Sequence, residues 1–271
     1  MNPSEVMPRY AIRGGKEGKE RLNLLARVML PTTSQLLKTV GFRKGMKCLD
    51  VGCGGGHVTL LMARMVGPEG KVTGTDTDEE IIELAQEDAD AAKLDNVEFR
   101  QIDACTCQWH EEYDLVYARF LLSHLSEPER CLAAMVGACR PGGAVAVEDI
   151  DFSGSFCYPH CAAYERYVDL YQKVVQRRDG DANVGPKLLG LLRKAGATEV
   201  QVNVVQPTHV QGEGKLMASI TMERIAGSVV SERLATEEEV EQIIKGLNAA
   251  AANVETVMSL PRIFQVWGNR A

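Results

Sequence analysis

No stretch of these 271 residues approaches the roughly 18 uninterrupted apolar residues that a membrane-spanning helix requires. The opening segment, MNPSEVMPRY, also lacks the charged-then-apolar pattern of a secretory signal. Basic charge is not in excess either. Thirty Lys and Arg stand against 37 Asp and Glu, a formal charge of −7, so the whole chain carries no electrostatic footprint for nucleic acid or an anionic membrane. Eight cysteines are present, but none falls in the paired CxxC spacing of a structural zinc site. CTC at Cys105 and Cys107 and CYPHC at Cys157–Cys161 are poor substitutes, and no metal is expected. A chain of this length does not need disulfide staples, so reduced thiols and a cytoplasmic location are expected. Internal repeats, low-complexity tracts and a linker between separable domains are all missing.

What is present is an ordinary globular composition, 45% hydrophobic and 25% charged, in a chain long enough to bury a sizeable core. Residues 1–18 read as an irregular polar arm. Leu22, Leu25, Ala26 and Met29 then share one helical face, and Pro31 is expected to interrupt that helix. From residue 47 the pattern alternates. KCLDVG, KVTGTD, VEFRQID and YDLVYAR read as four strands, and AVAVEDIDF as a fifth after an RPGG turn. Helical faces separate the early strands: Val58, Leu61, Met62 and Met65, then Ile81, Leu84 and Ala85. Strands alternating with helices predict right-handed βαβ units and an α/β fold with a parallel sheet covered on both faces. Beyond residue 151 come a tyrosine-rich helix (Tyr164, Tyr167, Val168, Tyr171, Val175), a helix ended by Gly196, and a sixth strand, EVQVNVV. A helix through Val240, Ile243, Ile244 and Leu247 precedes a final strand, RIFQVWG.

The stretch KCLDVGCGGGHVTLLMARMV is a strand, a glycine loop and a helix in succession. Such a junction points backbone N–H groups and a helix N-terminus into the crevice at the strands' carboxyl ends. Dinucleotides and S-adenosylmethionine both use it. The dinucleotide fingerprint G-x-G-x-x-G fails here, because the sixth position after Gly52 is His57. The pattern is instead Gly52, Gly54, Gly56, preceded by Asp50, whose carboxylate would repel a pyrophosphate but not an ammonium group. Asp76, with Thr77 beside it, ends the second strand, where a carboxylate can accept both ribose hydroxyls. Asp103 and the Ala104 N–H close the third, placed to meet an adenine amino group. Each acid alone could be a turn or N-cap residue; three in register describe a nucleoside site.

The successive stretches CLDVGCGGG, GTDTDEEIIELA, RQIDA, YDLVYARFLLSHL and RPGGAVAVED resemble, in order and spacing, the motifs of class I S-adenosylmethionine-dependent methyltransferases of the small-molecule type. The resemblance covers residues 45–150, and the final strand more loosely. It implies a Rossmann-like seven-stranded sheet of order 3-2-1-4-5-7-6 with an antiparallel seventh strand. It also implies an arm and helix over residues 1–40 that close on the cofactor, and a methyltransferase domain over 41–271. Cap insertions would lie near 152–186 and 212–260. By the same resemblance Gly52, Gly54 and Gly56 lie under the methionyl part, and Ala118 and Arg119 line its amine. Tyr10, Gly15 and Arg21 belong to the segment that would close over the cofactor and pair with its carboxylate.

Methyl transfer is a displacement in which the cofactor carries the hard chemistry, so a base is optional. The candidates are Glu148 and His124, with Asp149, Tyr158, His160 and Tyr164 as substrate contacts. His124 also reads as a packing histidine, and the tyrosine stripe as core. The expected activity is metal-independent methylation of a small organic acceptor, with no nucleic acid and no membrane involved and a homodimer left open. A non-catalytic S-adenosylmethionine-binding protein, a protein- or RNA-modifying methyltransferase and a nicotinamide oxidoreductase stay open as alternatives.

Overall fold

A computed structural model of the chain describes residues 15–103, 106 and 112–271. Its centre is a seven-stranded sheet. Five strands run parallel to their neighbours: β1 (Lys47–Val51), β2 (Lys71–Asp76), β3 (Val97–Gln101), β4 (Tyr113–Arg119) and β5 (Cys139–Asp151). β10 (Arg262–Arg270) lies antiparallel between β5 and β7 (Ala197–Val205). The order is β3-β2-β1-β4-β5-β10-β7, which is the expected 3-2-1-4-5-7-6 once the strands of this sheet alone are counted. Within β4 the side chains alternate between two cores: Leu115 and Tyr117 enter one, Val116 and Ala118 the other. Burial on both faces explains why YDLVYAR reads as a nearly unbroken apolar run.

Helices α2 (His57–Val66) and α3 (Glu79–Ala91) belong to the first of those faces, α4 (Pro128–Ala138) and α6 (Leu188–Lys194) to the second. A third core lies beyond the end of β5. There α5 (Ala162–Gln176), α7 (Met217–Ser231) and α8 (Glu237–Ala252) pack together over Ile150, Phe152 and Ile263. Beside them is a small antiparallel sheet of β6 (Cys157–Tyr158), β9 (Val257–Ser259) and β8 (Thr208–His209). Strands of two or three residues are too short to show a period of two, so nothing in the sequence announced them.

Two expectations about local structure are corrected. Pro31 does not interrupt the first helix, which runs as α1 from Gly15 to Thr39. Its two halves serve different cores: Leu24, Leu25 and Met29 join the α5–α7–α8 cluster, whereas Leu36 and Leu37 pack with α2 and the sheet. That burial on either side outweighs the one hydrogen bond a proline removes, and Pro31 itself faces solvent. The RPGG stretch is not a turn ahead of β5 but lies within it. The register slips from Tyr113↔Cys139 to Leu115↔Ala144, and Gly142, at φ 73°, takes up the surplus residues as an irregularity in the strand.

α1 is fastened to the sheet by Glu148, which is fully buried on β5. One of its carboxyl oxygens accepts from Thr33 of α1 at 2.7 Å and from the Tyr117 hydroxyl of β4; the other accepts from Gln265 of β10 at 2.8 Å. Asp149, also buried, accepts from the backbone N–H groups of Leu122 (2.8 Å), Ser123 (3.2 Å) and Ile150 (2.9 Å), which fixes the chain as it leaves β4. Both acids therefore hold the frame. Glu148→Ala is expected to lower the unfolding free energy by about 3 kcal/mol, because three buried donors lose their acceptor; urea denaturation followed by circular dichroism measures it. Gly56→Ala should cost about 1–3 kcal/mol in the same assay. Gly56 has φ 72°, and a Cβ there would stand 2.7 Å from Phe99 Cζ.

Candidate active site

β1 ends in the glycine loop, and its backbone turns through left-handed conformations at Gly52 (φ 67°) and Gly54 (φ 51°). A Cβ at Gly52 would lie 2.8 Å from Leu121, so this position admits no side chain for two independent reasons. The loop is tied to the end of β2. Cys53 N–H donates to the Thr75 carbonyl at 2.8 Å, and Gly54 N–H to Asp76 Oδ2 at 2.9 Å. Gly52, Gly54 and Gly55 line a cavity of about 240 Å³. Gly56 does not; it is required for packing on Phe99, and Gly55, not expected from the sequence, takes its place in the wall.

The wall at this end is acidic. Asp50 and Asp76 both line the cavity and are 2% and 9% exposed, and neither forms an ion pair with a described residue. Burial, reinforced by the charge of Asp76 and opposed by a hydrogen bond from Thr59 and the charge of Arg119, raises Asp50 to about 7. Burial also raises Asp76, against the backbone N–H groups of Asp78, Gly54 and Thr77 that favour its ionised form. Those three bonds, at 3.2, 2.9 and 2.7 Å, leave the carboxylate with further acceptor capacity. Asp78 and Ile81 complete this end. Asp78 is the N-cap of α3, accepting from Ile81 N–H at 3.3 Å, and its capping signature concealed its place in the cavity.

The opposite wall comes from the end of β4, from α1 and from the helical layer. Arg119 lines it and donates to Thr33 at 3.0 Å. Phe120 follows at φ 56°, a strained conformation for a bulky residue, held by its N–H bond to the Glu148 carbonyl at 2.8 Å. Tyr164, Tyr167 and Tyr171 reach the cavity from α5, and Phe152 stacks on Tyr171 with ring centroids 3.9 Å apart. Burial raises Tyr164 and Tyr171 to about 12. His124 lines the wall as well; burial, then the nearby charges of Arg21 and Arg178, lowers it to about 4, so it is neutral at physiological pH.

Arg21 enters this wall from α1 and donates to Thr221 of α7 at 3.1 Å. Two residues on, Asn23 bonds His57 at the start of α2 at 2.6 Å. The same helix thus spans the cavity from the glycine loop to α7.

Several residues singled out from the sequence lie elsewhere. Glu148 and Asp149 are outside the described wall, because their oxygens are taken up within the frame. Ala118 is buried in β4, paired with Val51 and Val147. The Thr77 contact with Asp76 is made by its backbone. Asp103 stands two residues past the end of β3 and is not among the described residues that line the cavity. Tyr158 is 70% exposed and His160 pairs with Glu165 at 3.1 Å on the surface; neither reaches the cavity. Gly15 begins α1, and Tyr10 and Ala104 lie outside the described residues.

Known proteins share both the sequence and the architecture. Over 112 residues the chain is 35% identical to demethylmenaquinone methyltransferase of Staphylococcus aureus, a match that covers 41% of this chain and 46% of that protein. The chain thus spans about half the length of the curated relatives it matches. The phosphoethanolamine N-methyltransferase 2 of Haemonchus contortus, solved with S-adenosyl-L-methionine, superposes with a TM-score of 0.59 at 14% identity, covering 92% of this chain and 57% of that one. A putative methyltransferase from Bacillus halodurans gives a TM-score of 0.59 at 17% identity, covering 88% and 97%. At such identities these two likenesses establish the fold. Residues 42–187, more than half of the chain, match the family described as methyltransferase domain, with the glycine loop, Asp50 and Asp76 inside the matched segment; the chain belongs to that S-adenosylmethionine-dependent family.

Proposed function

We propose that the protein transfers the methyl group of S-adenosylmethionine to a small organic acceptor, without a metal. The observation that carries this reading is the pair of buried carboxylates, Asp50 and Asp76, lining one cavity end beside a glycine cradle with no cationic partner among the described residues. An uncompensated acidic pair favours a cationic ligand and disfavours a phosphate. S-adenosylmethionine supplies a sulfonium methyl; as the acceptor's lone pair bonds to that carbon, the carbon–sulfur pair stays on sulfur and S-adenosylhomocysteine leaves.

The chain's own residues bind, orient and exclude water. Asp50 faces the donor's positive charge, Asp76 retains acceptor capacity for hydroxyl groups, and Gly52 and Gly54 leave space for close approach. The aromatic wall from α5, with Phe120 and Leu121, encloses the acceptor side and supports a small, largely apolar substrate over a nucleic acid or protein. Neutral His124 is a weak base, which supports an acceptor that brings its own nucleophilic lone pair. The metal-free reading rests on the donor set: among the described residues no group of three His, Cys, Asp or Glu is disposed to hold an ion. A cytoplasmic setting is supported by the six described cysteines, none of which is joined in a disulfide. The position of α1 supports a closing role for residues 1–40.

Calorimetric titration with S-adenosylhomocysteine tests the reading directly: saturable binding is expected, and its absence would overturn the proposal. Asp76→Ala is expected to weaken that binding by about 2 kcal/mol; unchanged affinity would remove Asp76 from the site. Affinity for S-adenosylmethionine should fall as pH drops below about 7, because protonation of Asp50 removes the charge facing the donor. Asp50→Asn should flatten that profile. In the free protein the sign is opposite: the stability contributed by protonated Asp50 is complete below the ordinary carboxylate value and is lost as pH rises through about 7. Titrations and thermal unfolding between pH 5.5 and 8.5 distinguish the two effects.

A further inference from the structure

The acceptor end of the cavity holds a cation in place of an acid. Arg21 lines the wall, is partly buried, and makes one side-chain hydrogen bond among the described residues, from Nε to Thr221. No described carboxylate pairs with it. Thr221 is itself buried on α7, so the guanidinium is oriented by a fixed neighbour. Around it stand Tyr167, Tyr171 and the like-charged Arg224, and burial lowers its proton affinity. A guanidinium whose remaining donors are unused among the described residues, set beside aromatic rings, has the chemistry to receive an anion.

Helix geometry separates this site from the donor end. Asn23 faces His57 at the glycine loop, and Arg21, two residues earlier, stands about 200° round α1. Its hydrogen-bond partner is on α7 and the tyrosines beside it are on α5, while its charge also reaches His124 just past β4.

Resting on the methyltransferase reading above, we propose that the acceptor is a compact apolar or aromatic carboxylic acid bound as its anion, and that Arg21, positioned by Thr221, receives the carboxylate. The planar fork of the guanidinium matches a carboxylate in a way a lysine would not. Tyr167, Tyr171 and Phe152 then cover the apolar body. The carboxylate of the donor itself is the rival occupant, and the test separates the two.

The full chain, saturated with S-adenosylhomocysteine, is heated with benzoate, hexanoate or 4-phenylbutyrate, and in parallel with the corresponding neutral amides. At least one acid should raise the melting temperature by a few degrees more than its amide. Arg21→Gln should abolish that difference while leaving the affinity for S-adenosylhomocysteine within about twofold, and Thr221→Val should weaken acid binding severalfold with the same retention. Equal effects of acid and amide across all three pairs would overturn the proposal. So would an Arg21→Gln protein that keeps the acid–amide difference, or one that loses about tenfold or more in S-adenosylhomocysteine affinity, which would assign Arg21 to the donor. Failure of the wild-type protein to bind S-adenosylhomocysteine would instead strike the methyltransferase reading, and the same acid–amide comparison on the free protein would still decide the role of Arg21.

Discussion

Glu148 joins three elements that are far apart in sequence: Thr33 on α1, Tyr117 on β4 and Gln265 on β10. Because the group is buried, each of those donors would be stranded without it, and the four side chains hold one another in a single arrangement. Its consequence lies about three helical turns away. With Thr33 pinned to the sheet, the first half of α1 is held across the cavity, so that Leu22 and Asn23 meet the glycine loop while Arg21 meets α7. Thr33 also receives Arg119, which ties the boundary between the two cavity ends to the same point. α1 is thereby part of the sheet's own hydrogen-bonded frame and not an independent cover.

The cavity framed this way is electrostatically polar. One end has Asp50 and Asp76 with no described cation in contact; the other has Arg21 with no described acid. In a low-dielectric enclosure, separated and uncompensated charges of opposite sign raise the cost of the empty state and favour ligands of matching polarity. Between the ends the strained Phe120 and the Arg119 guanidinium, 5.6 Å from its ring centroid, mark the region where two ligands would meet. Strain retained in a bulky residue at this place agrees with its use as a wall that cannot move freely.

The parallel sheet, its order and the glycine loop were legible in the sequence because each has a short-range cause. Doubly buried strands must be apolar throughout, left-handed turns require glycine, and a strand leading into a helix requires a crossover. Asp50 and Asp76 were legible for the same reason, since their places at strand ends follow from counting along the chain. Glu148 and Asp149 were misplaced as acceptor-side residues. A carboxyl group at the end of a strand looks the same in sequence whether it faces a cavity or a neighbouring helix, and the difference depends on Thr33 and Gln265, more than a hundred residues away in either direction. Tyr158 and His160 were misplaced because the short sheet of β6, β8 and β9 turns their segment outward. Asp78 was overlooked because one carboxylate can be both an N-cap and part of a wall.

The sequence by itself therefore determined the class of fold, the family and the acidic, glycine-lined end of the cavity, because these depend on residues close together in the chain and on periodicities that survive without a partner. Only the tertiary structure decided which way α1 faces, that Pro31 leaves it continuous, which tyrosines of α5 reach the cavity and that Arg21 has no acid partner among the described residues. Those properties belong to contacts between α1, α5, α7 and the sheet. A contact between distant segments is set by the packing of both partners at once, and no single stretch of chain contains that information.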